Sequence, residues 1–175
     1  MARKTIETSR YYQDVVKVMT SQGLLLGSYD AAGKANVMTI GWGALGSIWG
    51  IPVWIVLVRP SRYTYECIER SGCFSVNVPT PAMAKACTIC GTRSGRDGDK
   101  CAPAGLTVTR GSHVPAPLAD QCPIVYECKV VHYNDVAPDT LATEIIAGAY
   151  PAGDFHRVYF GQVLSAAAGD VSALG

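Results

Sequence analysis

Short apolar or alternating segments, separated by glycine, proline and aspartate, recur along most of the chain. This pattern predicts a mainly β protein, because alternation is the period of a half-buried strand. Segments 24–29 and 35–41 are joined by a short glycine-containing connection, which is typical of a β-hairpin. Segment 52–58 is continuous and β-branched, which favours a strand buried on both faces. Further strands are predicted at 73–78, 124–133, 141–149 and 158–166.

Two helices are predicted between these strands. The first, 62–70, has Ser61 before it as an N-terminal cap and Gly72 just beyond its end. The second, 81–90, begins with Pro81, a residue favoured in the first turn of a helix. The two helices therefore flank the predicted strand 73–78.

Five to seven strands with two helices fit a closed antiparallel β-barrel better than a doubly wound sheet, because short turns rather than helical crossovers join the strands. A polar loop is expected at 91–99 and a loose tail at 167–175. The glycine fingerprint of dinucleotide-binding folds is absent from the sequence. We expect one domain over residues 1–175.

The charge balance argues against a polyanionic partner. Fifteen basic and 14 acidic residues give a net charge of +1, so neither nucleic acid nor an anionic membrane is expected to bind. Although 49% of residues are apolar, no segment approaches the roughly 20 apolar residues that span a bilayer. No secretory signal is visible at the start of the sequence, so a cytoplasmic location is expected.

Seven cysteines, an odd number, favour reduced thiols over a disulfide framework. Cys87 and Cys90 have the spacing of a metal or redox pair. A zinc or iron–sulfur site needs two more soft ligands, for which Cys101 and His113 are the nearest candidates in sequence. We expect neither a metal site nor a redox dithiol at this pair.

A phosphate site is predicted where strand 52–58 leads into the first helix. Arg59, Ser61, Arg62 and Thr64 would place guanidinium groups, hydroxyl groups and unpaired backbone N–H groups together. The alternative is that Ser61 only caps the helix while Arg62 and Thr64 face water. Arg59 has an alternative of its own, which is pairing with Glu66 or Glu69.

Five motifs in order along the chain carry a family resemblance, at 36–42, 59–64, 74–77, 90–100 and 159–163. The sequence resembles the flavin reductase-like, FMN-binding split-barrel family, and within it the flavoredoxin type. The resemblance covers most of the chain. It implies a mainly β Greek-key split barrel with short helices, a homodimer, and FMN held without a covalent bond near the subunit interface.

The resemblance also implies roles for individual residues. Thr39, Gly41 and Trp42 would contact the flavin ring, although Trp42 could equally be a core residue. Lys100 would be a cationic partner of the flavin or its phosphate, in a loop that is otherwise explained as a solvated surface loop. Calcium is not expected in that loop, because no glutamate completes an EF-hand pattern.

No catalytic residue is expected, because the cofactor itself supplies the chemistry. His156 is included only as a cofactor contact, since a lone histidine is more often an ordinary polar residue than a base. The expected cofactor-binding residues are Asn36, Met38, Thr39, Ile40, Gly41, Trp42, Arg59, Ser61, Arg62, Tyr63, Thr64, Asn77, Cys90, Gly91, Ser94, Gly95, Lys100, His156 and Phe160.

The function expected from the resemblance is an FMN-dependent oxidoreductase. It would take hydride from NADH or NADPH into FMN and pass electrons to free flavin, a metal complex or a partner protein. Two alternatives stay open at this point. One is a flavoredoxin-like electron-transfer protein that does not react with nicotinamide, and the other is a flavin-binding module without turnover.

Overall fold

The computed structural model describes residues 2–174 and has ten strands and four α-helices in that range. The helices are α1 Tyr12–Ser21, α2 Tyr63–Ser71, α3 Ala84–Thr92 and α4 Thr143–Ala149. The strands are β1 Lys4–Thr5, β2 Leu24–Tyr29, β3 Ala35–Ile40, β4 Gly43–Ile48, β5 Ile51–Val58, β6 Cys73–Val78, β7 Val108–Arg110, β8 Pro117–Ala119, β9 Ile124–Asp135 and β10 Arg157–Ala168.

One antiparallel sheet contains eight of the strands. Its path runs β3, β2, β6, β9, β10, β5, β4, and β1 pairs with the end of β10. The connection from β5 to β6 crosses over through α2, so β6 lies between β2 and β9 rather than beside β5. The remaining strands, β7 and β8, form a separate hairpin. No helix in residues 2–174 has the length and apolar character needed to cross a membrane.

Chain connectivity forces this sheet to curl. The two ends of the path, β3 and β4, are joined by Gly41 and Trp42 alone. Three Cα steps span at most about 11 Å, so the two edges of the sheet approach each other closely at this link. The strand pairings within the described residues include none between β3 and β4. The result is a barrel that is split along one seam.

The barrel encloses the main hydrophobic core. Its largest fully buried side chains include Trp54, Phe74, Tyr126 and Tyr159, which come from β5, β6, β9 and β10. A second buried cluster packs α3 against β2 and β3 and includes Leu25, Val37, Cys87 and Cys90. The position of α3 is thereby fixed against the edge of the seam.

Most of the predicted strands are confirmed, one predicted strand is a helix, and α1, β1, β4, β7 and β8 were not predicted. Segment 141–149 is not a strand, because 143–149 forms α4, whose apolar Ile145 and Ile146 are not in the buried core. The small residues of β4 gave no strand signal, although this strand pairs with β5 along its length. Helix α1 was not predicted, because its valines favour strands and obscure the helical period. Val15, Val18 and Met19 form its buried face.

The boundaries of the predicted helices also shift. Arg62, not Ser61, is the N-cap of α2, because the Ser61 hydroxyl bonds to Asp154 instead. Gly72 ends that helix in the left-handed conformation, as predicted. The second helix starts with a 3₁₀ turn at Pro81–Met83 before α3.

The expected loop and tail are more structured than predicted. Residues 91 and 92 belong to α3, and a 3₁₀ turn follows at Gly95–Asp97. The tail extends β10 to Ala168 and buries Leu174. Gly175, its last residue, lies outside the described residues.

A cluster of charged and aromatic side chains fixes α2 to the sheet. The Arg157 guanidinium lies 4.3 Å from the centre of the Tyr133 ring and donates to Asp135 at 2.7 Å. Arg157 also donates to Glu69 of α2 at 3.0 Å, and the buried Tyr159 hydroxyl donates to Glu69 at 2.7 Å. Glu69 is therefore the acceptor that joins α2 to β10.

We predict that Glu69→Ala lowers the free energy of unfolding by about 1 to 3 kcal/mol, because it leaves the buried Tyr159 hydroxyl without an acceptor. Asp135→Ala is the matched control, since this carboxylate is exposed and its ion pair should contribute under about 1 kcal/mol. Urea titration followed by tryptophan fluorescence measures both variants. Equal losses in the two variants would contradict this role for Glu69.

Candidate functional site

A cavity of about 420 Å³ opens along the seam of the barrel, a volume typical of small-molecule sites. It lies between the end of β3, the Gly41 and Trp42 link, the start of α2 and the end of α3. Its lining residues are Met38, Thr39, Ile40, Gly41, Trp42, Leu57, Arg59, Ser61, Arg62, Tyr63, Thr64, Cys90, Gly91, Arg93, Ser94, Gly95, Arg96, Lys100 and His156.

All but three of the residues expected at the cofactor line this cavity. Leu57, Arg93 and Arg96 also line it and were not in the expected set. Arg93 gave no sequence signal of its own, because it follows α3 in a polar segment where a solvated arginine is the ordinary expectation. Arg96 lies in the same loop as Lys100, so the prediction of Lys100 as a cofactor contact could have been extended to Arg96.

Asn77 and Phe160, which the sequence predicted as cofactor contacts, do not line the cavity. Asn77 is fully buried, donating to the Leu25 carbonyl at 3.1 Å and accepting from the Ala119 N–H at 2.9 Å. It therefore joins neighbouring strands. The Phe160 ring lies 5.2 Å from His132 and 5.8 Å from Trp49, in a separate aromatic cluster.

Asn36 is the third residue outside the lining, and it acts from behind the cavity wall. Its Nδ2 donates to Thr64 Oγ1 at 2.8 Å, and both side chains are buried. The buried Asn36 Oδ1 has no hydrogen-bond partner in the described part of the chain. The space beside this oxygen is taken by Gly95, where an added Cβ would collide with it.

The Thr64 hydroxyl is the most informative polar group of the site. Thr64 is 1% exposed, lines the cavity and lies in the first turn of α2. Because its oxygen accepts from Asn36, its proton remains to be donated, and no hydrogen bond donated by it is found within residues 2–174. Burying an unpaired donor is costly, so this proton calls for an acceptor on a ligand.

The cavity has a marked excess of positive charge. Its lining contains five cationic side chains and, among the described residues, no carboxylate. Arg62 and Arg93 make no side-chain hydrogen bond or ion pair with any part of the chain from 2 to 174. These two guanidinium groups are available to a bound anion. Arg62 also lies at the N-terminus of α2, the positive end of the helix dipole.

Two further arginines are held by the protein itself. Arg59 donates to the carbonyls of Ala149 at 2.7 Å and Asp154 at 2.9 Å, so its alternative pairing with Glu66 or Glu69 is wrong. Arg96 pairs with Glu66 and also donates to the Ser61 carbonyl. Both therefore support the cavity wall.

Ser61 makes a different contact from the one expected. Its hydroxyl donates to Asp154 Oδ2 at 2.5 Å, and its backbone N–H lies 3.3 Å from Oδ1 of the same carboxylate. Asp154 has a positive φ of 57°, a conformation that costs energy for a residue other than glycine. The contact fixes the segment before β10 against the start of α2.

Lys100 is a buried cation without a carboxylate partner. It is 6% exposed, and its Nζ lies 3.4 Å from the Cys90 carbonyl oxygen. Burial lowers the pKa of its ammonium group. A negative charge placed in the cavity would stabilise the charged form of this side chain.

One wall of the cavity comes from the end of β3 and the link after it. Thr39 donates to the Cys87 carbonyl at 2.6 Å, which ties β3 to α3. Trp42 is 48% exposed, and its ring lies 5.1 Å from that of His156. His156 Nδ1 is 2.7 Å from the Tyr150 hydroxyl, and burial lowers the pKa of the imidazole to about 4.

The cysteines are buried free thiols. Burial raises the pKa of Cys87 to about 11 and that of Cys90 to about 12, so both are protonated at neutral pH. Within residues 2–174, no group of three or more His, Cys, Asp and Glu side chains is arranged to hold a metal ion.

Ser112, His113 and Glu127 also meet, outside the cavity. Ser112 Oγ is 3.1 Å and Glu127 Oε1 is 3.3 Å from the same nitrogen, Nδ1 of His113. A hydrolytic triad uses the two ring nitrogens for different partners, so this cluster lacks that geometry. Glu127 instead accepts backbone N–H groups of the loop, from His113 at 2.7 Å and Val114 at 3.1 Å.

Comparison with known proteins supports the sequence resemblance. The model of the flavin reductase like domain matches residues 15–172. The protein YddH of Escherichia coli (strain K12) is 29% identical over 136 residues, which cover 75% of this chain and 71% of YddH.

Solved structures agree in fold. The flavoredoxin of Methanosarcina acetivorans superposes with a TM-score of 0.68 at 30% identity, covering 85% of this chain and 68% of that one. The flavoredoxin of Desulfovibrio vulgaris (Miyazaki F) has a TM-score of 0.69 at 26% identity, covering 85% and 69%. A flavin reductase-type protein with a split barrel domain from Shewanella frigidimarina has a TM-score of 0.70 at 18% identity, covering 95% and 77%.

Proposed function

Because the chain belongs to the flavin reductase-like domain family and has its mainly β split-barrel fold, we propose that the seam cavity binds FMN and that the protein is an FMN-dependent oxidoreductase. The observation that carries this proposal is the unpaired proton of the buried Thr64 hydroxyl, beside the unpaired guanidinium of Arg62 at the start of α2. Donors of this kind at a helix N-terminus suit a terminal phosphate.

FMN fits this donor set better than a dinucleotide. The start of α2 supplies one compact phosphate site, and the sequence has no glycine fingerprint for holding an adenosine half. Thr64 and Arg62 would donate to the phosphate, while Asn36 orients the Thr64 hydroxyl from behind. Arg93 provides a further unpaired cation on the cavity lining.

The flat part of the flavin would lie along the end of β3. A Cβ added at Gly41 would have only the Met19 carbonyl oxygen within 4 Å, at 3.9 Å. Without that Cβ, the Gly41 backbone can approach a ring closely. When bound, the flavin supplies the redox chemistry by accepting hydride from NADH or NADPH and releasing electrons to free flavin, a metal complex or a partner protein. The protein orients the ring and covers part of it.

Lys100 would tune the cofactor electrostatically. A buried ammonium group without a carboxylate partner favours added negative charge nearby. Placed beside the pyrimidine edge of the flavin, Lys100 would stabilise the reduced anionic form and raise its reduction potential.

Electron transfer without nicotinamide is the second candidate function. Its support is the likeness to two flavoredoxins at 26% and 30% identity. In that case NADH and NADPH would not reduce the flavin, and electrons would arrive from a protein partner.

Two further expectations stay predictions from the sequence. One is a flavin-binding module without turnover, and the other is a cytoplasmic location.

We further propose that the protein is a homodimer through the turn between β4 and β5. Trp49 is 63% exposed and has a positive φ of 55°, which is unfavourable for a bulky side chain. It lies against the exposed His132 and the half-buried Phe160. A strained, exposed aromatic cluster of this kind is typical of a surface that a second copy covers.

Replacing Thr64 by Val and Arg62 by Ala should weaken FMN binding by about 1.5 to 3 kcal/mol for each lost charge-assisted hydrogen bond. Riboflavin binding should change much less, because riboflavin has no phosphate. Titration of flavin fluorescence measures both ligands, and Arg70→Ala at the other end of α2 is the matched control. Equal losses for FMN and riboflavin would show that the two residues act through folding.

Anaerobic stopped-flow mixing of the holoprotein with NADH or NADPH tests the reductase function. We expect the flavin absorbance near its visible maximum to bleach with either or both donors, at a rate that rises with donor concentration. Bleaching by dithionite but by neither nicotinamide would instead support the electron-transfer function.

Trp49→Gly should shift the protein toward monomer in light scattering at micromolar concentration. The free energy of unfolding of the monomer should hold or rise, since glycine adopts a positive φ without strain. Tyr12→Ala, which removes an exposed aromatic residue on α1, is the control and should leave the assembly unchanged. A monomeric wild-type protein would contradict the proposed dimer.

A further inference from the structure

We propose that Tyr150 fixes the proton of the His156 ring on Nε2, so that His156 acts as a permanent hydrogen-bond donor to the group bound in the cavity. The contact is built from a buried tyrosine and a buried histidine that lines the cavity. This inference relies on the proposed function only for the identity of that group, an acceptor atom of the flavin ring.

The position of the proton follows from the hydrogen-bond accounting. The Tyr150 hydroxyl is 2.7 Å from His156 Nδ1 and has no other hydrogen-bond partner within residues 2–174. A buried hydroxyl donates when an acceptor is available, because an unpaired O–H is costly. Nδ1 is therefore the acceptor, and the proton of the neutral imidazole must be on Nε2.

The surroundings keep the ring neutral. Burial disfavours the imidazolium most, and the positive charges of Arg59 and Arg62 act in the same direction, while Asp154 opposes them. These charges come from the end of β5, the start of α2 and the segment before β10, and the neutral Trp42 ring covers another side. A neutral ring with its Nδ1 lone pair occupied cannot serve as a base near pH 7.

The tyrosine ring is itself held in place. Tyr150 stacks on Phe155 at 4.7 Å between ring centres, and the Arg59 guanidinium lies 5.0 Å from the Tyr150 ring. Trp42 lies 5.1 Å from the His156 ring and limits its rotation. Tyr150 is thus a positioning residue, and its hydroxyl sets which nitrogen of His156 is available to a ligand.

Nitrogen-15 NMR of the flavin-free protein tests this assignment directly. The chain has three histidines, so His156→Gln identifies the signals of His156 by their loss. We expect a protonated Nε2 and an unprotonated Nδ1, unchanged from pH 8 to about 5.5. A proton on Nδ1, or protonation of the ring with a midpoint near its ordinary pKa of about 6.5, would overturn the proposal.

Variants separate the hydroxyl from the aromatic packing. Tyr150→Phe keeps the ring and should give a mixture of the two imidazole tautomers, with FMN and riboflavin binding both weakened about threefold to tenfold. His156→Gln keeps an N–H donor and should bind more tightly than His156→Leu, while the exposed Tyr12→Phe is the control. An unchanged tautomer in Tyr150→Phe, or equal binding by the Gln and Leu variants, would contradict the proposal.

These outcomes are distinguishable from failure of the proposed function. If neither FMN nor riboflavin binds the wild-type protein, the proposed flavin site is wrong. The NMR spectra of the flavin-free protein still decide whether Tyr150 fixes the proton of His156 on Nε2.

Discussion

The two-residue link between β3 and β4 is the constraint on which the site depends. These strands are the two ends of a seven-strand path, and Gly41 and Trp42 hold the ends together without pairing them. Edge strands that approach without hydrogen bonds leave a gap, and here α2, α3 and the segment before β10 border it. The cavity is therefore a consequence of how the barrel closes.

Some polar groups around the gap are buried without the partners that would stabilise them. The Thr64 proton lacks an acceptor, Lys100 is a buried cation without a carboxylate, and the Arg62 guanidinium is unpaired within the described residues. The first two features are unfavourable in an empty cavity because both groups are buried, and all three become favourable with an anion bound. Such local conflicts with otherwise consistent packing are the usual signature of a binding site.

Sequence reasoning predicted the region of the candidate cavity better than it predicted individual contacts. The hydrophobic pattern predicted most of the sheet. It missed β4, whose small residues give no strand pattern, and it predicted a strand at 141–149, where α4 forms. Motif resemblance selected most of the cavity lining. It could not foresee the hydrogen bonds that make Asn77 structural, engage Ser61 with Asp154 and place Asn36 behind Thr64, because these depend on partners distant in sequence.

The central claim is that one FMN binds in the seam cavity through a phosphate at the start of α2. Acid release of the cofactor from protein reconstituted with a mixture of FMN, FAD and riboflavin, followed by chromatography, tests it most directly. The account predicts FMN as the main flavin, at about one per chain. Recovery of mainly FAD, of riboflavin in equal amount, or of no flavin would contradict it.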